Sequence, residues 1–263
     1  MAGVTSTTST TSVLGTRIEP TSYDQATRAV IEWAASALSK YVCLATVSQV
    51  MEGHDAPELQ AVMNEADMVT PDGMPLVWAL RLLGRADATR VYGPDLTPII
   101  LERAGMEGLP VGFYGGSPDV LNRFIHRMTQ RFAKLQVVYA YSPPFRALTP
   151  EEDQRAVQEI NTSGARILFV GLGNPKQEFW MAAHRGRVQT VMLGVGAAFD
   201  FLAGAKPQAP RWMMRIGLEW LFRLATEPRR LWKRYLKHNP RFIVLFANQL
   251  LGAKFTGSKG DYT

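Results

Sequence analysis

Asp72 stands between Pro71 and Gly73 at the end of a short apolar run, Met68-Val69. A carboxylate held on a rigid turn after a strand can take a proton from a hydroxyl, and such general-base transfer is worth about 10²–10⁴-fold in rate. The same residue could instead close an Asx turn or cap the helix expected over 75–83. The residues alone leave both readings open.

Four other segments follow apolar runs in the same way. Gly171-Leu172-Gly173-Asn174-Pro175-Lys176-Gln177-Glu178 begins like a dinucleotide turn. Lys176 replaces the third glycine of that fingerprint and Pro175 interrupts the helix start, which argues against a nicotinamide cofactor. What remains is a glycine turn presenting ammonium, amide and carboxylate together, a set suited to a sugar or a diphosphate. Gly115-Gly116-Ser117-Pro118 either brings backbone close to a phosphate at a helix N-terminus or is a tight turn with a Ser cap. In Gly194–Asp200, Asp200 divides between substrate contact and helix capping. Thr46-Val47-Ser48-Gln49 reads as the loop after the first of these strands. His54, His126, His184 and His238 are scattered without metal-ligand spacing, and no Asp-x-Asp occurs. No metal and no cofactor are expected.

These loops require elements to carry them. Strand-like runs occupy 42–47, 111–114, 135–141, 166–170 and 190–195. Helical stretches lie between them at 23–38, 57–66, 75–83, 96–104, 118–132, 150–161 and 177–184. Ser117-Pro118 and Thr149-Pro150 are helix-start signals. Short apolar strands alternating with helices predict a Rossmann-like α/β fold, a mainly parallel sheet with helices on both faces. In such sheets ligands bind beyond the carboxyl ends of the strands, where all five loops fall.

Charge is distributed unevenly. Between Arg211 and Arg241 nine Lys/Arg face two acids, so this stretch carries +7 in a chain whose total is +6. Trp212, Trp220, Phe222, Trp232, Tyr235 and Phe242 are interleaved with the charges. Each Lys/Arg near an anionic leaflet is worth about 1 kcal/mol, and Trp favours the headgroup level. A helical, basic C-terminal appendage on a near-neutral core therefore points to an anionic membrane surface. It argues against nucleic acid, which basic-aromatic stretches would otherwise suit. The expected organisation is a disordered tail over 1–13, a core over 14–210, the appendage over 211–255 and a flexible tail over 256–263. A homo-oligomer stays open. The N-terminal residues do not read as a signal peptide, no run approaches the ~20 apolar residues of a spanning helix, and the lone Cys43 sits in an apolar run as core. A peripheral protein is expected.

The loops, in this order, resemble the WecG/TagA/CpsF family of bacterial glycosyltransferases. The resemblance is carried by Ala66-Asp67-x-x-x-Pro71-Asp72-Gly73, Arg90-Val91-Tyr92-Gly93-Pro94-Asp95-Leu96, Gly171-Leu172-Gly173-x-Pro175-Lys176-Gln177-Glu178 and Gly194-Val195-Gly196-x-x-Phe199-Asp200. The tail adds Gly217-Leu218-Glu219-Trp220-x-x-Arg223-Leu224 and Glu227-Pro228-x-Arg230. It implies an inverting, metal-independent transfer of a hexose from a UDP-sugar to a polyprenyl-diphosphate-linked saccharide at the cytoplasmic face of the inner membrane. Asp72 would be the base, with Thr46 and Gln177 catalytic and Asp200 contacting substrate. Arg223 and Arg230 would hold diphosphate. Lys233 stands where an Arg is common, keeping charge but losing bidentate geometry. Ser48, Gly73, Arg90, Gly93, Asp95, Gly115, Gly116, Ser117, Gly171, Gly173, Lys176 and Glu178 complete the expected contacts. Ser48 replaces the usual Asn. Pro-Asp-Gly-Met-Pro points to the exopolysaccharide branch of xanthan or acetan type, with UDP-glucose as donor; UDP-N-acetylmannosamine or its uronate is the alternative.

With cationic side chains rather than a metal neutralising the leaving diphosphate, transfer is expected to survive EDTA. Loss of activity on chelation, with recovery on adding Mg²⁺ or Mn²⁺, would overturn this.

Overall fold

A computed structural model describes residues 11–257 of the chain. The described chain opens with a hairpin, β1 (Thr11–Val13) and β2 (Thr16–Ile18). Helices and strands then alternate through α1 (Tyr23–Ala35), β3 (Lys40–Ala45), α2 (Val47–Asp55), α3 (Pro57–Asn64), β4 (Met68–Pro71), α4 (Met74–Leu82) and α5 (Gly93–Glu107). They continue through β5 (Val111–Gly115), α6 (Pro118–Arg131), β6 (Val137–Tyr141), α7 (Pro150–Ser163), β7 (Ile167–Gly171), α8 (Lys176–His184), β8 (Val191–Gly194) and the short α9 (Ala198–Leu202). Three helices follow as the appendage: α10 (Arg211–Arg215), α11 (Glu219–Thr226) and α12 (Pro228–Gly257).

Strands β3 to β8 form one six-stranded sheet in the order β4-β3-β8-β7-β5-β6, every pair parallel. Alternation along each strand sends side chains to two separate cores. Tyr41, Cys43 and Ala45 of β3 join Leu168 and Val170 of β7 in one cluster, covered by α2, α3, α4, α7 and α8. Val42 and Leu44 join Ile167 and Phe169 in the other, covered by α1, α5, α6 and α9. Burial on both faces is why the strands read as continuous apolar runs rather than as alternating ones. The expected α/β architecture is the observed one.

The helix-start signals work as their chemistry suggests. Ser117 and Thr149 cap α6 and α7 with Pro in the first turn, and Thr149 completes a capping box with Glu152. Two glycines fix the close approach of neighbouring strand ends. Gly115 has φ +119°, and a Cβ there would lie 2.6 Å from the Gly171 carbonyl; a Cβ on Gly171 would meet the Phe199 ring at 2.6 Å.

Several expectations change. Thr11–Val13 is a strand rather than tail: Val13 and Ile18 are fully buried, and Gln249 of α12 bonds Leu14 N and the Ser12 carbonyl at 2.9 and 2.7 Å. Residues 1–10 and 258–263, which hold the rest of the expected tails, lie outside the described residues, and α12 itself runs through Gly257. The Thr46–Gln49 segment is not a loop. Thr46 caps α2 through a capping box with Gln49, a signal hidden by a polar helix of only nine residues.

The appendage is also less separable than its composition suggests. Phe242 and Phe246, one helical turn apart on α12, are buried in the core beside α2 and stack at 5.7 Å. Asp55 at the end of α2 takes Arg241 in a bidentate pair at 2.7 and 2.8 Å. Phe246→Ala is expected to destabilise the whole α/β core by about 3 kcal/mol, while Ile243→Ala, on the exposed side of the helix, changes stability little. Urea unfolding followed by far-UV signal tests this; equal midpoints for the two variants would show α12 to be a detachable tail.

Candidate active site

The ends of β4, β3, β8 and β7 open into a cleft of about 730 Å³, roofed by α11 and α12. Asp72 lies on its floor. Its N–H donates to the Ala45 carbonyl at 2.8 Å, and Val91 N–H donates to the Pro71 carbonyl at 2.9 Å, so the turn is held from both sides. Asp72 is not a helix cap: Gly73 occupies the N-cap of α4 and no side chain bonds there. The Asp72 side chain is only 17% exposed, and Oδ1 is buried without a hydrogen-bond partner. Burial pushes its carboxyl up to about 7; Arg90 and Arg223 oppose the shift, while Glu219 and Asp95 add to it. A carboxylate poised there is well matched to general-base work near neutral pH.

Arg90 is the cation beside it. Its Nη2 stands 3.7 Å from Asp72 Oδ1, and its Nε donates to the Asp72 carbonyl. The guanidinium lies 4.1 Å over the Tyr92 ring and bonds Glu219, the first residue of α11. Arg223, Arg230 and Arg234 enter from the roof. Arg223 Nε and Arg234 Nε are buried without hydrogen-bond partners, and Arg230 Nε pairs with Glu227 at 2.5 Å.

Beneath the cleft runs a buried amide–carboxylate brace. Gln49 Oε1 accepts from Thr46 N–H at 2.8 Å and from its hydroxyl at 3.0 Å, while Gln49 Nε2 donates to Glu178 at 2.8 Å. Gln177 Nε2 donates to the same Glu178 oxygen at 2.9 Å and to Asn174 at 3.0 Å, and its Oε1 accepts Gly196 N–H at 3.1 Å. Gln49, Gln177 and Glu178 are at most 2% exposed. One carboxyl group thus ties the first turns of α2 and α8 together, and Gln177 extends the tie to the segment after β8.

Among the residues expected from sequence, Thr46, Ser48, Asp72, Gly73, Arg90, Gly173, Gln177, Arg223 and Arg230 line the cleft. The others do not. Gly115, Gly116 and Ser117 follow β5, one strand beyond β7, where Ser117 caps α6. Gly171 packs on Phe199, and Gly93 fits against Leu44 and the Val195 carbonyl. Glu178 lies under the cleft as the shared acceptor. Lys176 and Lys233 point to solvent, Lys233 over Trp232. Asp95 holds α10 through Arg211 at 2.6 Å. Asp200 stands 3.8 Å from Lys206, which in turn lies 3.7 Å from Glu227, the partner of Arg230.

Sequence reasoning missed Gln49, Tyr92, Glu219 and Arg234. Arg234 follows Arg230 by four residues, so helical spacing would have found it. Glu219 stands in one of the motifs that carry the resemblance but was given no role, because its partner Arg90 lies far away in sequence. The rim is apolar: Trp78, Leu82, Ile216 and Ile243 line the cleft yet remain 42–68% exposed.

Residues 11–256 match the glycosyl transferase WecG/TagA/CpsF family. The chain belongs to that family. It is also 32% identical over 214 residues, 80% of each chain, to a Bacillus spizizenii N-acetylglucosaminyldiphosphoundecaprenol N-acetyl-β-D-mannosaminyltransferase. The protein is a glycosyltransferase. The match supports the expected family but not the xanthan or acetan branch, since that relative carries an N-acetylmannosaminyl group rather than glucose. Among the described residues no helix is long and apolar enough to cross a membrane.

Glu178 supplies a test of the brace. Burial raises its carboxyl to about 7, with hydrogen bonds from Gln177 and Gln49 opposing, and Oε2 has no partner. The native state therefore holds this proton more tightly than the unfolded chain, whose Glu titrates near about 4.3. Stability from this group is fully present below that range and falls as pH rises toward 7, by up to about 1.4 kcal/mol per pH unit. Glu178→Gln keeps one accepting oxygen and removes the titration. Relative to wild type, its urea midpoint is expected to be higher at pH 8 than at pH 5; an unchanged difference would mean Glu178 is not held protonated.

Proposed function

We propose that this transferase moves N-acetylmannosamine from a UDP-sugar to a polyprenyl-diphosphate-linked N-acetylglucosamine, with inversion, at the cytoplasmic face of the membrane. The observation that carries the reading is Asp72, a largely buried carboxylate with no hydrogen bond on Oδ1, lining a cleft whose roof presents three arginines. The sugar identities rest on the Bacillus spizizenii relative, which fits the N-acetylmannosamine alternative better than UDP-glucose.

In this reading the acceptor hydroxyl loses its proton to Asp72 as its oxygen bonds the anomeric carbon. The bond from that carbon to the diphosphate breaks on the opposite face, and its electron pair leaves with UDP. Arg223, Arg230 and Arg234 meet the diphosphate charge, which removes the need for a metal ion. Thr46 and Ser48, with hydroxyls 3.2 Å apart, are placed to contact the sugar from the β3 end. The rim of Trp78, Leu82, Ile216 and Ile243 suits the first isoprene units. Exposed Trp212 and Trp232 beside the basic residues suit headgroups and an anionic surface. The protein would then act as a peripheral enzyme.

A donor comparison on polyprenyl-diphosphate N-acetylglucosamine, read by product mass, tests the substrate assignment. UDP-N-acetylmannosamine is expected to be used in preference to UDP-glucose, and the reverse preference would refute it. In the same assay Asp72→Asn is expected to lower kcat by about 10²–10⁴-fold while UDP still binds, because Asn keeps the shape but cannot take the proton. Near-normal turnover by a folded Asp72→Asn protein would remove Asp72 from the chemistry.

A further inference from the structure

One nitrogen of Arg90 faces two carboxylates. Nη2 bonds Glu219 Oε2 directly, whereas it stands 3.7 Å from Asp72 Oδ1, too far for a hydrogen bond. The three side chains are 13–17% exposed, so water screens them little. The rest of the guanidinium is fixed by the Asp72 carbonyl and the Tyr92 ring. Asp72 and Arg90 belong to the core, while Glu219 is the first residue of α11 in the appendage. Without Glu219, the nearest anion left to Arg90 is Asp72, and a short charge-assisted pair would occupy the oxygen that is now free.

We propose that Glu219 is a positioning residue for transfer: by engaging Arg90 from the appendage, it keeps that cation from closing to hydrogen-bond distance of Asp72 and so leaves the carboxylate able to take the acceptor proton. The inference rests on Asp72 as the base. Docking of α11 then completes the site in a second way, besides bringing Arg223 over the cleft. A core whose appendage is lifted would hold Asp72 and Arg90 as a closed ion pair, a poor proton acceptor. The proton still passes from the acceptor oxygen to Asp72, and the electron pair of the broken bond still leaves with the diphosphate; Glu219 gains and loses nothing.

The charges around Asp72 agree with this. Arg90 and Arg223 lower its proton affinity, and Glu219 and Asp95 raise it. Tyr23 on α1 and Tyr92 before α5 also feel the charge of this group, and burial pushes both to high pKa, so they stay neutral through the range that matters. Glu219 is thus an appendage anion that sustains the base, and removing it leaves Arg90 and Arg223 opposed by Asp95 and by burial.

The test uses the full-length protein with Glu219→Gln, which keeps the side chain's size, and Glu219→Asp, which keeps its charge. Two quantities are read: the acidic limb of kcat/KM against pH with UDP-sugar and lipid-linked acceptor, and the titration of Asp72 itself. The latter comes from carboxyl ¹³C NMR of ¹³C-Asp-labelled protein, assigned by the signal lost in Asp72→Asn. Glu219→Gln is expected to lower both midpoints by about 1 pH unit or more, and the plateau rate by about tenfold as the base weakens. Glu219→Asp should recover part of each. The NMR titration needs no turnover, so it decides even if the variant is inactive, provided its thermal transition shows it folded. If Glu219→Gln leaves the Asp72 midpoint where it is in wild type and only raises the acceptor KM, Glu219 merely tethers the appendage and the proposal fails while Asp72 remains the base. If instead the wild-type kinetic limb does not coincide with the Asp72 titration, the base assignment itself falls, and the proposal with it.

Discussion

A carboxylate kept from water without a hydrogen bond on Oδ1 is expensive, and much of this site can be understood as what makes it tolerable. Asp72 can neither relax toward solvent nor reach a neighbouring donor, because its backbone is bonded on both sides by β3 and the segment leading to α5. Proton affinity rises as a result. Arg90 offsets part of the burden, with Arg223 adding to that offset, and Arg90 is itself shared with Glu219. The proton affinity of Asp72 therefore depends on a balance among a few charges rather than on one strong pair.

The brace under the cleft answers a different problem. Parallel strands place their carboxyl ends together, but nothing in a sheet aligns the loops that leave them. Here Glu178 accepts from both Gln49 and Gln177, so the first turns of α2 and α8 share one atom, and Gln177 extends the link to Gly196. Gln177 is thereby a strut rather than a free contact, its amide hydrogens already spent within the protein. Because the network is buried and mostly satisfied, loosening one member should move the others.

The appendage serves the core as much as the cleft. Phe242 and Phe246 fill the layer beside α2, Arg241 grips Asp55, and Gln249 clasps the N-terminal hairpin. This puts α11 and the first turns of α12 at fixed positions over the strand ends, which is how arginines distant in sequence come to face Asp72. The appendage also leaves Trp212, Trp232 and Leu236 exposed, so it covers the core, roofs the cleft and presents apolar side chains outward through different residues along it.

Much of the fold was legible in the sequence because its signals are local. Apolar runs, Pro after Ser or Thr and glycine turns specify strands, helix starts and loops within a few residues of themselves, and the parallel sheet follows. The strand-end rule then located Asp72, Thr46 and the Gly173–Gln177 turn. Strand order was not local, and this is why Gly115–Ser117, equally glycine-rich and equally at a strand end, falls outside the cleft: β5 lies beyond β7 in the sheet. Nor could charge counting distinguish Arg234, in the roof, from Lys233, in solvent, until the helix face was known. The sequence by itself determined an α/β transferase scaffold with a carboxylate at a strand end and a cationic tail. Only the tertiary structure decided which charges meet, because Arg90 and Glu219 are 129 residues apart and share a bond only through the docking of α11.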